Sequence, residues 1–503
     1  MALLSAKFKQ DESDMKINRI FEKIMVVLAF MQILSPIITS FFCLIGIEMD
    51  MLNVMLLVMI AYMLVAVLNF SFNLSFMTWS KPTLFKILAW TLIAWIILSA
   101  LVNGTINYTF IFYLCYVACF CMFVKVDKKY YKAMLYVFVI ELTVCCTMGL
   151  IDPMNNFMPG FSKRYFPLSL QFANSNYASY VVALAILLCS FIIFYHKKVW
   201  VQVVFWICYF ILNFTIFVNG CYSGEFAVFL ALLLLIIYFW VKNKKCPIVL
   251  IICFAVSLGL SFASMLYPDI WNASSASANF FYETIAIFDN TFGTHLLQSI
   301  SGAVAGEDHI ITNVLGADGY DRGSYFDRCF VVCTESFKNF VFGSGAGKNY
   351  EVLVHNVYLQ LWLEIGLVGV LLYVSLLAVI CVAFIKDIFK TKKINAKYIF
   401  LFMIMLSFII EVHNIGCLES YSFIYFVMLF AVLYKNSKKE KIEEAIEKEE
   451  TAKVENSQEQ TQNIQEEPQE EVVEVEKDKE PQRKKVQKKT SKPRLQENKQ
   501  GEK

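Results

Sequence analysis

Gly343–Gly369, GSGAGKNYEVLVHNVYLQLWLEIGLVG, is the stretch on which the reading of this 503-residue chain turns. A glycine-rich loop leads through His355-Asn356 into an apolar run that carries Gln360 and Glu364. If a helix begins near His355, then Asn356, Gln360 and Glu364 recur at i, i+4 and i+8 and share one face of an apolar rod. The stripe reaches roughly 12 Å along that rod, at about 1.5 Å per residue. A carboxylate at that depth in a membrane span is costly unless it faces protein or water, so the segment predicts a polar site inside a bilayer-embedded bundle.

Composition agrees with that setting. Hydrophobic residues make up 58% of the chain and charged residues only 17%, with the charges concentrated in the tail, which excludes an ordinary soluble enzyme. The net charge of +2 averages two unlike regions and says nothing about partners. Most of the 15 cysteines, among them Cys43, Cys115, Cys145, Cys146 and Cys189, fall in apolar runs where cysteine acts as a small hydrophobe. Their spacing supports neither a disulfide framework nor a metal site. The first apolar run lacks a small-residue cleavage site and reads as a retained helix.

Runs long enough to cross a bilayer lie near 22-45, 51-70, 84-102, 106-124, 133-151, 176-195, 199-218, 225-241, 247-266, 356-385, 397-413 and 418-434. The expected fold is therefore an all-α polytopic membrane protein of about twelve transmembrane helices. With residues 1-19 in the cytoplasm, alternate connections return there with Lys81, Lys125/Lys128/Lys129/Lys132, Lys197/Lys198, Lys242/Lys244/Lys245 and Lys386/Lys390/Lys392/Lys393/Lys397, as the positive-inside rule requires. The domain plan is nine spans over 20-266, a large extracytoplasmic loop over 267-354, three spans over 355-435 and a charged tail over 436-503. Both termini are then cytoplasmic.

The outer face holds few basic residues: Lys163 and Arg164 in the loop 152-175, then Arg322, Arg328, Lys338 and Lys348 in the loop 267-354. Every arginine between Arg19 and the tail lies in one of those two loops, and arginine's planar, permanently charged fork suits phosphate oxygens. A loop of about 88 residues is longer than a connector needs to be. Phe326, Phe330, Cys333 and Phe337 recur within it at i, i+4, i+7 and i+11, which predicts an amphipathic helix. The tail, with KKEKIEEAIEKEE and a closing basic block from Arg483 to Arg494, has few aromatics and predicts disorder after a short helical start.

FGSGAGKNY fails as a phosphate loop, because Phe342 and Asn349 stand where glycine and Ser or Thr are needed. It reads instead as a flexible turn that lets the chain re-enter the bilayer. Asn103-Gly-Thr and Asn107-Tyr-Thr match the glycosylation pattern, a weak signal that matters only in a eukaryotic secretory route. Glu141, mid-span in VFVIELTVCC, is a second intramembrane carboxylate whose partner the sequence does not name.

The run from His355 to Gly369, preceded by Phe342-Gly-Ser-Gly and a long outer loop, resembles the O-antigen ligase and polymerase family, the membrane glycosyltransferases that include Wzy-type polysaccharide polymerases and WaaL-type ligases. Arg164 followed by Phe172-Ala-Asn174-Ser-Asn176-Tyr177, and Arg322-Gly-Ser-Tyr-Phe-Asp-Arg328, are similar to further family segments in the expected order. Asn219-Gly-Cys-Tyr-Ser-Gly-Glu225 stands where members carry a Ser-Arg pair, and here that arginine is absent.

The resemblance, covering about residues 20-435, implies a C-type, metal-independent, inverting transferase in a bacterial cytoplasmic membrane, with no cofactor. It would take a glycan from a polyprenyl-pyrophosphate-linked donor on the outer leaflet and join it to a glycan acceptor's hydroxyl. Because the leaving group is already an anion, the enzyme needs mainly cations and a base. The implied roles are general base for His355, pyrophosphate clamp for Arg164, Arg322 and Arg328, and support for Asn356, Glu364, Asn174, Asn176 and Glu225. His413, in Glu411-Val-His413-Asn414, is an alternative base. Repeat-unit polymerase for capsule, exopolysaccharide or O-antigen is the first expectation, ligase to lipid or protein the second, and lipid-linked oligosaccharide flippase a third of another class. Membrane lipids, and polysaccharide-assembly proteins reached through the tail, are the other partners expected, and nucleic acid is not one.

Overall fold

In a computed structural model the described residues are 20–45, 47, 51–68, 84–151, 175–219, 222–243, 246–266, 322–347, 356–390, 396–410 and 423–435. They are all helix and turn, with no strand among them. The chain divides into a bundle unit, Met1–Lys441, and a second unit, Ile442–Lys503, which holds the charged tail and lies outside the described residues.

The helices in chain order are α1 (Ile20–Ile33), α2 (Ser35–Leu44), α3 (Met51–Leu68), α4 (Leu84–Asn103), α5 (Tyr108–Lys125), α6 (Tyr131–Ile151), α7 (Ser175–Tyr195), α8 (Val199–Asn219), α9 (Tyr222–Asn243), α10 (Ile248–Leu266), α11 (Arg322–Thr334), α12 (Phe337–Phe342), α13 (Val357–Lys390), α14 (Ala396–Ile410) and α15 (Phe423–Lys435). Each apolar run of the sequence falls on one of these helices, or, for the first run, on the bent pair α1 and α2. Among the described residues six segments are long and apolar enough to cross a membrane: 84–103, 128–150, 177–195, 199–216, 224–242 and 357–386. The pair α1/α2, bent by 66°, makes a seventh if counted as one span. Shorter apolar stretches, 53–68, 109–125, 248–261, 396–410 and 423–435, lie on α3, α5, α10, α14 and α15.

The bundle is organised around α7, which packs against α6, α8, α9, α10 and α14. It is buried over 83% of its span, against 28% for α13. A helix that is apolar all round belongs in the interior. In a bilayer the packing of such a helix rests on close approach, because lipid is as apolar as leucine. Small residues on α7, including Ala178, Ser179, Ala183, Ala185, Cys189 and Ser190, are buried and allow that approach. A buried hydrogen-bonded seam joins α8 to α10: Tyr209 donates to Cys253 O at 2.9 Å, and Ser257 Oγ donates to Asn213 Oδ1 at 2.6 Å.

Two apolar spans are broken. Pro36 removes an N–H and cannot sit inside an uninterrupted helix, and the chain bends just before it, at Leu34. The amide of Ile37 then donates to Glu141 Oε1 of α6 at 3.1 Å, so the carboxylate without a sequence partner finds one at the start of α2. The second break lies in α13, at Gly366.

Candidate functional site

Gly366 has φ 78° and ψ 173°, so α13 consists of a short first half down to Ile365 and a long second half. The uninterrupted rod expected from the sequence is therefore corrected to a broken helix. Breaking a helix exposes its last carbonyls, and in an apolar setting each one left unpaired costs several kcal/mol. Here they are met. Ser344 donates to Leu363 O through its backbone N at 2.7 Å and its hydroxyl at 2.9 Å, and Trp95 Nε1 of α4 donates to Ile365 O at 2.8 Å. Ser99 has one hydroxyl proton, directed to Phe342 O at 2.7 Å in preference to Glu364 O at 3.4 Å.

The glycine-rich turn expected to be flexible is instead buried from Gly343 to Gly347 and fitted to this break. Gly343 has φ 74°, and a Cβ there would stand 2.5 Å from the Glu364 carbonyl carbon. A Cβ on Gly366 would collide with the Val341 carbonyl and lie 2.6 Å from Phe342 N. Trp95 stacks on Phe342 with ring centroids 4.8 Å apart. Asn103 Nδ2 donates to Phe342 O and Asn107 Nδ2 to Ala346 O, so both matches to the glycosylation pattern are internal fasteners.

Glu364 ends the first half of α13 and is 4% exposed. Its carboxylate accepts from the Tyr113 hydroxyl of α5 and, at 2.9 Å, from Gln360 Nε2. Gln360 and Glu364 thus share the expected stripe. Asn356 does other work: its Oδ1 accepts from the amides of Tyr358 and Leu359, both at 3.0 Å, and caps the helix. Behind the Glu364–Tyr113 pair is an apolar cavity of about 150 Å³, lined by Tyr113, Leu361, Ile365 and Tyr373 among others.

Residues 322–334 form a helix, as expected, but its buried face differs from the one read from the phenylalanines. Cys329 and Cys333 point inward against Leu359, Leu363 and Trp362 of α13. The helix stops before Ser336, which caps α12 by accepting from Asn339 N, so Phe337 belongs to the next element and is 82% exposed. Phe330 is partly exposed and meets Trp362 edge-on at 5.4 Å. Arg328 is exposed on α11, and Arg322 is the first residue of that helix. The side chain of Arg322 lies outside the described residues.

His355, Arg164, Asn174 and His413 lie outside the described residues, as does the side chain of Asn176 in the first turn of α7. Glu225 is buried in the first turn of α9, beside Ser261 of α10. Tyr113, Trp95, Ser99 and Ser344 were not singled out in the sequence. Polar or aromatic residues of this kind, set singly in apolar runs, carry no local signal that separates a helix-break partner from a filler. Compared with known protein families, curated proteins and solved structures, the chain matches none.

Proposed function

We propose that this chain is a membrane glycosyltransferase that polymerises polyprenyl-pyrophosphate-linked oligosaccharide repeats at the outer face of a bacterial cytoplasmic membrane. In this reading all twelve apolar segments cross the bilayer and both termini are cytoplasmic. The observation that supports it best is the seating of α11, the helix that begins at Arg322 and carries Arg328, against the first half of α13, where Cys329 Sγ lies 3.7 Å from Leu359 O. Leu359 is four residues after His355 in the sequence, so the helix that carries two of the three proposed cations packs on the helix that follows the proposed base. The break at Gly366 adds support, since non-helical backbone at membrane depth is tolerated where it lines a protein cavity.

In the proposed reaction Arg164, Arg322 and Arg328 hold the pyrophosphate. His355 takes the proton of the attacking acceptor hydroxyl, the glycosidic carbon inverts, and polyprenyl pyrophosphate leaves as the anion. Glu364, tied to Tyr113 and Gln360, fixes the helix that follows His355 and is a positioning residue. The apolar cavity beside Tyr113 and Ile365 suits part of a lipid chain.

The test is expression of His355→Ala and Arg322→Ala at matched membrane levels in a strain lacking the gene, with lipid-linked glycan resolved by length. Single repeats accumulating in both variants support the polymerase. Full-length chains held on the carrier and missing from their final acceptor identify a ligase instead. Wild-type glycan from both variants overturns the assignment.

A flippase or transporter is the second reading. It is favoured by the two broken spans, each with a buried carboxylate at the break, Glu141 at α2 and Glu364 at α13, because transporters build substrate sites from discontinuous helices. It predicts that repeats stay on the inner leaflet when the break is disrupted.

A further inference from the structure

A second cavity, of about 440 Å³, opens among α6, α7, α14 and α15. Phe123, in its lining, lies ten residues along α5 from Tyr113, about 15 Å at the helical rise. The volume is within the range of roughly 300–1,000 Å³ typical of small-molecule sites. Its depth is apolar, with Ile33, Phe138, Leu184, Leu188, Ile192 and Met428 in the wall and Tyr425 at the inner end.

Its mouth is of opposite character. Lys128, Lys132, His196 and Lys397 line it, contributed by the turn before α6, by α6, by the α7–α8 connection and by α14. Tyrosines hold the lysines at the rim: Lys128 lies 5.7 Å from the Tyr398 ring centroid, Lys132 5.6 Å from Tyr136, and Lys397 5.7 Å from Tyr195. A basic, aromatic rim over an apolar shaft matches a molecule with an anionic head and a hydrocarbon tail, and no free anion would use the shaft.

We propose that this cavity binds one anionic membrane phospholipid, its phosphate at Lys128, Lys132 and Lys397 and an acyl chain between α6, α7 and α15. The lipid ties together four helices. The proposal does not depend on the reaction proposed above.

Full-length protein in neutral detergent is titrated with phosphatidylglycerol and, separately, phosphatidylcholine, and adducts are counted by native mass spectrometry. One phosphatidylglycerol is expected to be retained in preference to phosphatidylcholine. The double variant Lys132→Ala/Lys397→Ala, altered only at exposed side chains, loses about thirtyfold in affinity, at roughly fivefold for each lysine near an anionic headgroup. Leu135→Trp, which fills the half-buried wall and leaves the lysines in place, abolishes the adduct. Retention of the adduct in both variants overturns the site. Loss in the lysine variant alone shows surface attraction without an acyl chain in the cavity and overturns it as well. Displacement of the lipid by equimolar glycerol phosphate overturns the choice of a lipid over a free phosphate.

Discussion

The backbone at Gly366, in a conformation only glycine adopts comfortably, lies directly against the Val341 carbonyl, so the break in α13 and the end of α12 are fitted to each other at van der Waals contact. Gly366→Ala places a methyl group where that carbonyl stands and adds backbone strain of order 1–3 kcal/mol before any clash is counted. The expected result is a sharp loss of thermal stability in detergent. Gly369→Ala is the comparison: the three atoms nearest its Cβ belong to the Ile365 side chain and not to backbone, and its φ is not positive. Without the backbone strain a smaller effect is expected.

The Tyr113–Glu364 bond joins α5 to the end of the first half of α13. Tyr113→Phe leaves a buried carboxylate one donor short and is expected to cost about 1–3 kcal/mol. In a double-mutant cycle with Glu364→Gln, unfolding followed by denaturant in micelles is expected to show coupling of roughly 0.5–3 kcal/mol. Additive effects would mean that the two side chains act independently.

How far the sequence anticipates this arrangement depends on how local each cause is. An apolar run is its own evidence for a helix, which is why the twelve runs fall on helices. The Gln360–Glu364 pair is legible for the same reason, at i and i+4 on one helix. The break at Gly366 is not: its positive φ is imposed by Val341, 25 positions earlier, and a glycine inside an apolar run looks like any other. Pro36 is a visible breaker, yet the partner of the freed Ile37 amide, Glu141, is set by how α2 and α6 meet. Cys329 and Cys333 face inward while Phe330 and Phe337 are left exposed, because the groove on α13 beside Leu359 and Leu363 admits small side chains. The basic ends of α6 and α14 are legible as charge; the shaft they surround is a tertiary feature.

Asp127, between α5 and α6, accepts from the backbone amide of Lys129 at 3.1 Å and pairs with its ammonium at 3.1 Å. The amide bond first, and the ammonium after it, hold the carboxyl below its usual range. A depressed folded-state value means the contribution to stability is present above the unfolded carboxylate range and lost as pH falls through the folded value. The protection of the amides at Lys128–Tyr130, their exchange relative to the intrinsic rate at each pH, is therefore expected to fall on acidification below about pH 4, the ordinary aspartate range. Asp127→Asn should show faster exchange already at neutral pH and remove the dependence.

The proposed transfer from a pyrophosphate carrier, with His355 as base, is tested with the purified chain in proteoliposomes, supplied with lipid-linked single repeats extracted from the deletion strain, with no nucleotide and with chelator present. Chains are expected to lengthen, with one polyprenyl pyrophosphate released for each linkage formed, and His355→Ala is expected to do neither while keeping the wild-type melting temperature. Absence of chain growth by the wild-type chain, or equal growth by His355→Ala, would overturn the proposed reaction.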